Sequence, residues 1–183
     1  MKETDEELIR KCIEGDSEAQ YTLYSKYAQN MYGVALRYAR SEQEAEDVLQ
    51  EAFIKIFQKM DTFQGNSTIG AWIKRIVVNT ALNSRRGKLY ASPMEDVSDL
   101  NYNDDRDWVL SDFQYEELLG MVRELPAGCQ AVFNLYAIEG YNHKEIAEMM
   151  EVSEGTSKSQ LARAKKLLRE KVLLYQREYH YGA

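Results

Sequence analysis

The residues with the most chemistry to offer lie in the segment IGAWIKRIVVNTALNSRRGK, where Trp72, Arg75, Asn79, Asn83 and Arg86 recur at helical spacing on one stripe. An indole, two amides and two guanidiniums on one face suit single-stranded nucleic acid: the ring stacks on bases, the amides reach base edges and the cations meet phosphates. The alternative is that Trp72 belongs to a core and the other four to a solvated surface. A second stretch, NHKEIAEMMEVSEGTSKSQLARAKKLL, predicts two short helices around a tight turn. Ile146, Ala147 and Met150 form the inner face of the first, Val152 plugs the turn, and Leu161, Ala164 and Leu168 form the inner face of the second. Ser153 is the expected N-cap of the second helix, whose N-terminal half then exposes Thr156, Lys158, Ser159, Gln160 and Arg163. Those are positions that enter the major groove in a helix-turn-helix, although an ordinary helical hairpin with a basic face has the same spacing. Glu151 stands at the turn, where glycine is most comfortable.

A third set, Asp47, Gln50 and Glu51, lies at i, i+3, i+4, opposite the apolar stripe of its helix, and could dock a basic protein surface or simply be solvated. Enzyme chemistry is poorly represented. No Gly-rich phosphate loop precedes a helix, no GxSxG is present, and neither His143 nor His180 is paired by spacing with a carboxylate or cysteine. The acids around Glu44 lack the ExxH spacing of a di-iron bundle. Cys12 and Cys129 are far apart, without CxxC spacing, and are expected to be buried free thiols rather than zinc ligands or a disulfide. The reading is therefore of a non-enzymatic protein with no cofactor and no metal.

Helices must position these groups, because apolar periodicity is helical throughout and no alternating strand pattern stands out. The fold expected is all-α. The clearest helix is Glu44 to Met60, with Ala45, Val48, Leu49, Ala52, Phe53, Ile56, Phe57 and Met60 on one stripe and a capping box of Ser41 and Glu44 before it. Leu23, Tyr24, Tyr27, Met31, Ala35 and Tyr38 mark an earlier helix; a later one runs from about Ile69 to Lys88 with an inner stripe of Ile69, Ile73, Ile76, Val77 and Thr80. Helices are also expected from about Ser111 to Glu124 and from Pro126 to about Ile138, stopped by Gly140.

The formal net charge of −7 on 183 residues argues against a generic nucleic-acid coat, but the charge is uneven. Lys74 to Lys88 carries five basic residues and no acids, Glu95 to Glu117 nine acids and one Arg, and Glu154 to Arg177 seven basic residues and two acids. Basic, acidic, basic suggests two anion-binding modules joined by an acidic spacer. With no apolar run near the ~18 residues of a membrane span and a charged N-terminus, MKETDEELIRK, the expectation is a cytoplasmic protein without membrane insertion.

Taken in order, AEDVLQEAF, the W-I-x-R-I-x-x-N pattern of Trp72 to Asn79, and EIAE followed by SEGTSKS resemble the two conserved domains of bacterial RNA polymerase sigma factors of the extracytoplasmic function (ECF) group, within the sigma-70 family. The resemblance spans nearly the whole chain except its ends and the acidic linker. It implies residues 1–88 as sigma region 2, 89–110 as linker, 111–176 as sigma region 4 and 177–183 as a tail. It further implies core RNA polymerase and promoter DNA as partners, with Asp47, Gln50 and Glu51 on the polymerase. Asn66 and Ser67, with Trp72, Arg75, Asn79, Asn83 and Arg86, would capture the melted minus-ten strand. Thr156, Lys158, Ser159, Gln160 and Arg163 would read the minus-thirty-five duplex. A separate anti-sigma factor is the expected regulator. Departures from the common pattern fall at Gln130, Glu151, Ser157 and Gln160, where members often carry Arg, Gly, Val and Arg. The runner-up expectation is a polymerase-independent regulator that uses only the helix-turn-helix, its first half being a sensory or dimerising bundle.

Overall fold

The computed structural model describes residues 5–85 and 115–180, all helices and connecting turns. It divides into two compact units between Ser84 and Arg85. The expected acidic linker and Arg86 lie outside the described residues. No strand occurs among the described residues, so the all-α expectation holds.

The first unit contains α1 (Asp5–Ile13), α2 (Ser17–Tyr38), α3 (Glu42–Gln58) and α4 (Ile69–Ser84). Helix α1 turns into α2 through Gly15 and the N-cap Asp16, whose carboxylate accepts from the Glu18 and Ala19 amides at 2.9 and 3.0 Å. Ala19, Leu23, Met31, Val34, Ala35 and Tyr38 of α2 are buried, whereas Tyr24, expected on the same stripe, is 40% exposed. Ser41 caps α3 through the Glu44 amide at 3.1 Å. The return arm of the box reaches one residue further back than a reciprocal box requires: the Glu44 carboxylate accepts from the amide of Arg40 at 2.8 Å. Met60, expected to end α3, is instead fully buried in a separate 3-10 turn, Met60–Thr62. Thr68 precedes α4, its hydroxyl accepting from the Ala71 amide, and the helix buries Val78, Ala81 and Leu82 beyond the expected stripe, while Ile76 is only half-buried. This broader burial packs α4 against both α2 and α3.

The second unit contains α5 (Tyr115–Arg123), α6 (Ala127–Phe133), α7 (His143–Met150) and α8 (Glu154–His180). Pro126 is the N-cap of α6 and not its first residue, and its missing N–H costs no helical bond there. The helix continues through one π turn, Asn134–Ile138, closed by the Glu139 amide on the Asn134 carbonyl at 2.9 Å, and ends at Gly140 with φ +81°. Val122, Leu125, Cys129, Ala164 and Leu168 form a core cluster, with Met121, Phe133 and Leu167 against it. Helix α8 is about 40 Å long at 1.5 Å per residue and therefore runs past α7 to meet α5. There Lys171 pairs with Glu124, and the Tyr175 hydroxyl donates to Glu117.

Candidate nucleic-acid and protein interfaces

On α4 the wide apolar face fixes which residues are left outside. Arg75 and Asn83 are exposed, and Trp72 and Asn79 are half-buried beside them, so four residues of the five-residue stripe share an accessible face. Trp72 is neither core nor free: its ring meets Phe63 from the preceding loop, centroids 5.6 Å apart and planes inclined by 60°. That contact holds the indole at the base of the exposed Gly65–Ser67 bend, where Asn66 donates to Gln64 at 3.1 Å and Ser67 to the Thr68 carbonyl at 3.4 Å. An aromatic edge, amides and a cation beside an open loop have the elements that single-strand capture requires.

On α3, Asp47, Gln50 and Glu51 are all exposed, brought together by helical spacing as expected. Glu51 also meets Lys55 at 2.6 Å, an exposed pair of small energetic weight. What spacing did not reveal is the neighbour of this patch. Gln50 borders a groove between α2 and α3 lined by Tyr24, Tyr32, Leu49, Phe53, Ile54 and Phe57. Ile54 is 52% exposed there, and Tyr24 sets its edge against Phe53 at 4.8 Å. The signal was present in AFIKIF, where Ile54 falls outside the buried stripe of α3.

The turn between α7 and α8 has helix-turn-helix chemistry. Asn142 and Glu145 make a reciprocal capping box at the start of α7, and Glu151 ends it at φ +55°, ψ +45°. A non-glycine residue in this left-handed conformation is strained by about 1 kcal/mol. Ser153 caps α8 through the Thr156 amide at 3.0 Å. Ile146, Ala147 and Met150 are buried, as are Leu161, Ala164 and Leu168.

The recognition face is narrower than the sequence suggested. Lys158 is exposed, 3.8 Å from Glu154; Thr156, Ser159 and Arg163 are half-buried. The Thr156 and Ser153 hydroxyls share a 2.9 Å hydrogen bond, and Ser159 donates to the Thr156 carbonyl at 3.0 Å. Gln160, expected on the same face, is half-buried. Its amide folds back onto α6, where its oxygen accepts from the Cys129 thiol at 2.9 Å and would lie 3.3 Å from a Cβ added at Gly128. Cys129 itself is fully buried, its thiol pushed up to about 11 by burial against the opposing charge of Arg163. Cys12 is likewise a buried free thiol.

A cluster that the sequence reading missed sits at the first turn of α7. His143 Nδ1 lies 2.9 Å from the hydroxyl of Ser157, a residue of α8 with no exposed surface, and its ring stacks on Tyr136 with centroids 4.8 Å apart and planes 22° apart. Burial holds the imidazole pKa below its ordinary value, Lys158 and Lys165 push in the same direction, and Glu154 opposes them. The sequence signal was Ser157 itself, a hydroxyl on the otherwise apolar inner face of a charged helix.

Among the described residues no His, Cys, Asp and Glu cluster could hold a metal ion, and no helix is long and apolar enough to cross a membrane. Comparison with known proteins gives matches to sequence models of Sigma-70 region 2 over residues 23–88 and of Sigma-70 region 4 over residues 115–168. The ECF RNA polymerase sigma-E factor of Haemophilus influenzae is 30% identical over 181 residues, covering 92% of this chain and 95% of that protein. The RNA polymerase sigma-H factor of Pseudomonas aeruginosa is 29% identical over 180 residues, 91% of this chain and 93% of that one. A solved structure of the sigma factor RpoE with the anti-sigma factor NepR from Bartonella quintana aligns with TM-score 0.53 at 19% identity, covering 82% of this chain and 94% of that one, which is a likeness of fold.

Proposed function

The chain belongs to the sigma-70 family, in its extracytoplasmic function group, and so directs RNA polymerase to initiate at promoters; we propose that it does this through three separate faces. Asp47, Gln50 and Glu51 of α3, together with the apolar groove beside Gln50, dock on core polymerase. The loop residues Asn66 and Ser67 and the α4 residues Trp72, Arg75, Asn79 and Asn83 hold the melted minus-ten strand, with Arg86 continuing the stripe in sequence. Thr156, Lys158, Ser159 and Arg163 meet the minus-thirty-five duplex, and Gln160 braces the helix that carries them. The boundaries proposed for region 2, linker, region 4 and tail are 1–88, 89–110, 111–176 and 177–183.

The observation that carries this reading is the coexistence of two different nucleic-acid faces in one chain. One is an aromatic and amide face beside an open loop, suited to unpaired bases; the other is a rigid capped helix after a tight turn, suited to a groove. Two weak contacts tethered by one linker gain from effective concentration, so neither unit needs to bind DNA tightly alone. The protein acts by binding and strand separation without a catalytic residue of its own, in the cytoplasm. A separate anti-sigma protein regulates it, as NepR is bound to RpoE in the similar structure.

Run-off transcription with purified core polymerase across genomic fragments tests the reading. Discrete start sites that require the chain are expected. A chain that footprints duplex DNA alone and yields no start-site-specific product with core is instead a polymerase-independent regulator.

A further inference from the structure

The cluster at the start of α7 is not accounted for by base reading or by core packing. His143 is tied at one nitrogen to a fully buried hydroxyl and covered on a ring face by Tyr136, so its orientation is fixed by α8 and by the π turn together. Nε2 makes no hydrogen bond among the described residues. Where Ser157 donates to Nδ1, the ring proton is carried on Nε2, which makes that edge a donor even in the neutral state. Lys158 and Lys165 are seven residues apart on α8 and therefore on one face, about 10.5 Å apart along the axis, and both act on the imidazole.

Among the described residues, few groups surround His143. From α8 these are Ser157, Glu154, Lys158 and Lys165; from the π turn, Tyr136; its own helix adds the neighbouring Lys144 and Glu145, and Glu145 is committed to the Asn142 amide at 2.8 Å. A donor edge beside two cations of one α8 face, one of them 3.8 Å from the opposing Glu154 carboxylate, is complementary to an anion. In a helix-turn-helix the first helix crosses the DNA backbone while the second enters the groove, which places the first turn of α7 near phosphates.

We propose that the Nε2 edge of His143, with Lys158 and Lys165, holds a backbone phosphate of the duplex, and that the imidazole takes up a proton as the phosphate arrives. Nδ1 keeps its Ser157 partner in both states, because the serine oxygen accepts once the ring is doubly protonated. The added positive charge lies flat on the Tyr136 ring, a favourable arrangement. The inference rests on the assignment of α7 and α8 to duplex binding.

The sign of the linkage follows from the two environments. In the free protein His143 is held neutral to below its ordinary pKa, whereas a phosphate against Nε2 raises that pKa. Duplex affinity therefore rises as pH falls through the interval between the two values. Holoenzyme binding to a promoter fragment, measured for wild type, His143→Asn and His143→Gln at pH 7.5 and 6.0, tests this. Wild type should gain about twofold to fourfold more affinity on acidification than either variant, a part of the ~tenfold that one full pKa unit is worth, because pH 6.0 is not far below the free value. At pH 6.0 the variants should also lose part of the slope of log affinity against log salt, at most the ~0.9 of one phosphate contact, since Lys158 and Lys165 remain on that phosphate.

Equal pH profiles and equal salt slopes for variants and wild type, all still forming promoter-specific complexes, overturn the inference and leave the function intact. Failure of wild-type holoenzyme to bind promoters at any pH takes down both. A measurement on the unmodified chain covers the case in which the variants misfold. The chain has two histidines, so the His143 imidazole can be followed by NMR with His180 as internal control. Its titration should move to higher pH on addition of duplex oligonucleotide. A titration that stays in place while α8 amide signals shift counts against the proposal.

Discussion

Gln160 gives the sharpest test of how the recognition helix works, because its position in the sequence and its position in the fold imply opposite results. Its amide oxygen accepts from the buried Cys129 thiol at 2.9 Å and packs over Gly128, the one residue type that leaves room there without displacing it. In Gln160→Ala the lost thiol–amide bond counts at the low end of the ~0.5–1.5 kcal/mol of a net hydrogen bond, since sulfur is a weak donor. Removal of half-buried Cγ adds roughly half of the ~0.8 kcal/mol of a fully buried methylene. The second unit should lose about 1 kcal/mol of stability, read as faster native-state hydrogen exchange of the α8 amides. Base preference should stay as it was. Competition of wild-type and variant holoenzymes over promoters substituted one upstream base pair at a time should give matching penalties. An amide that paired with adenine would instead surrender about 1–3 kcal/mol of discrimination at one position. Loss of an adenine preference at a single position, with α8 exchange unchanged, would refute the inward placement. Arg163→Ala is the positive control and should weaken upstream contact by about 1–3 kcal/mol if the contact is bidentate to a base.

Asn79→Ala should reduce promoter opening by about 1 kcal/mol, measured by permanganate reactivity of the minus-ten bases, while core affinity is retained; equal opening would remove Asn79 from the strand-holding face. Glu51→Lys should weaken core binding, measured by competition with labelled chain, while costing the fold only a few tenths of a kcal/mol from the new i,i+4 repulsion with Lys55. Unchanged core affinity would count against the α3 patch. Glu151→Gly relieves a left-handed residue at φ +55° and should stabilise the second unit by about 1 kcal/mol in thermal unfolding, with DNA binding preserved; a loss of stability would show that the Glu151 side chain contributes more than its backbone strain costs.

Helical period was enough to determine the all-α class and the faces of α3 and α4, because residues three and four apart must share a side of a helix whatever it packs against. The same local logic located Ser41, Ser153 and the strained Glu151, since caps and left-handed turns are decided within a few residues. Contacts between elements distant in sequence were decided only by the tertiary structure. Gln160 turns inward because Gly128, 32 residues earlier, leaves room for its amide and Cys129 offers a donor. Ile54 borders an open groove because Tyr24 and Tyr32 of α2 stand across from Leu49, Phe53 and Phe57 of its own helix. His143 becomes an oriented imidazole only when Ser157 and Tyr136, from two other elements, arrive at its nitrogen and its ring face. Spacing along one helix names the side of a residue, but the partner that fixes its side chain comes from elsewhere in the chain.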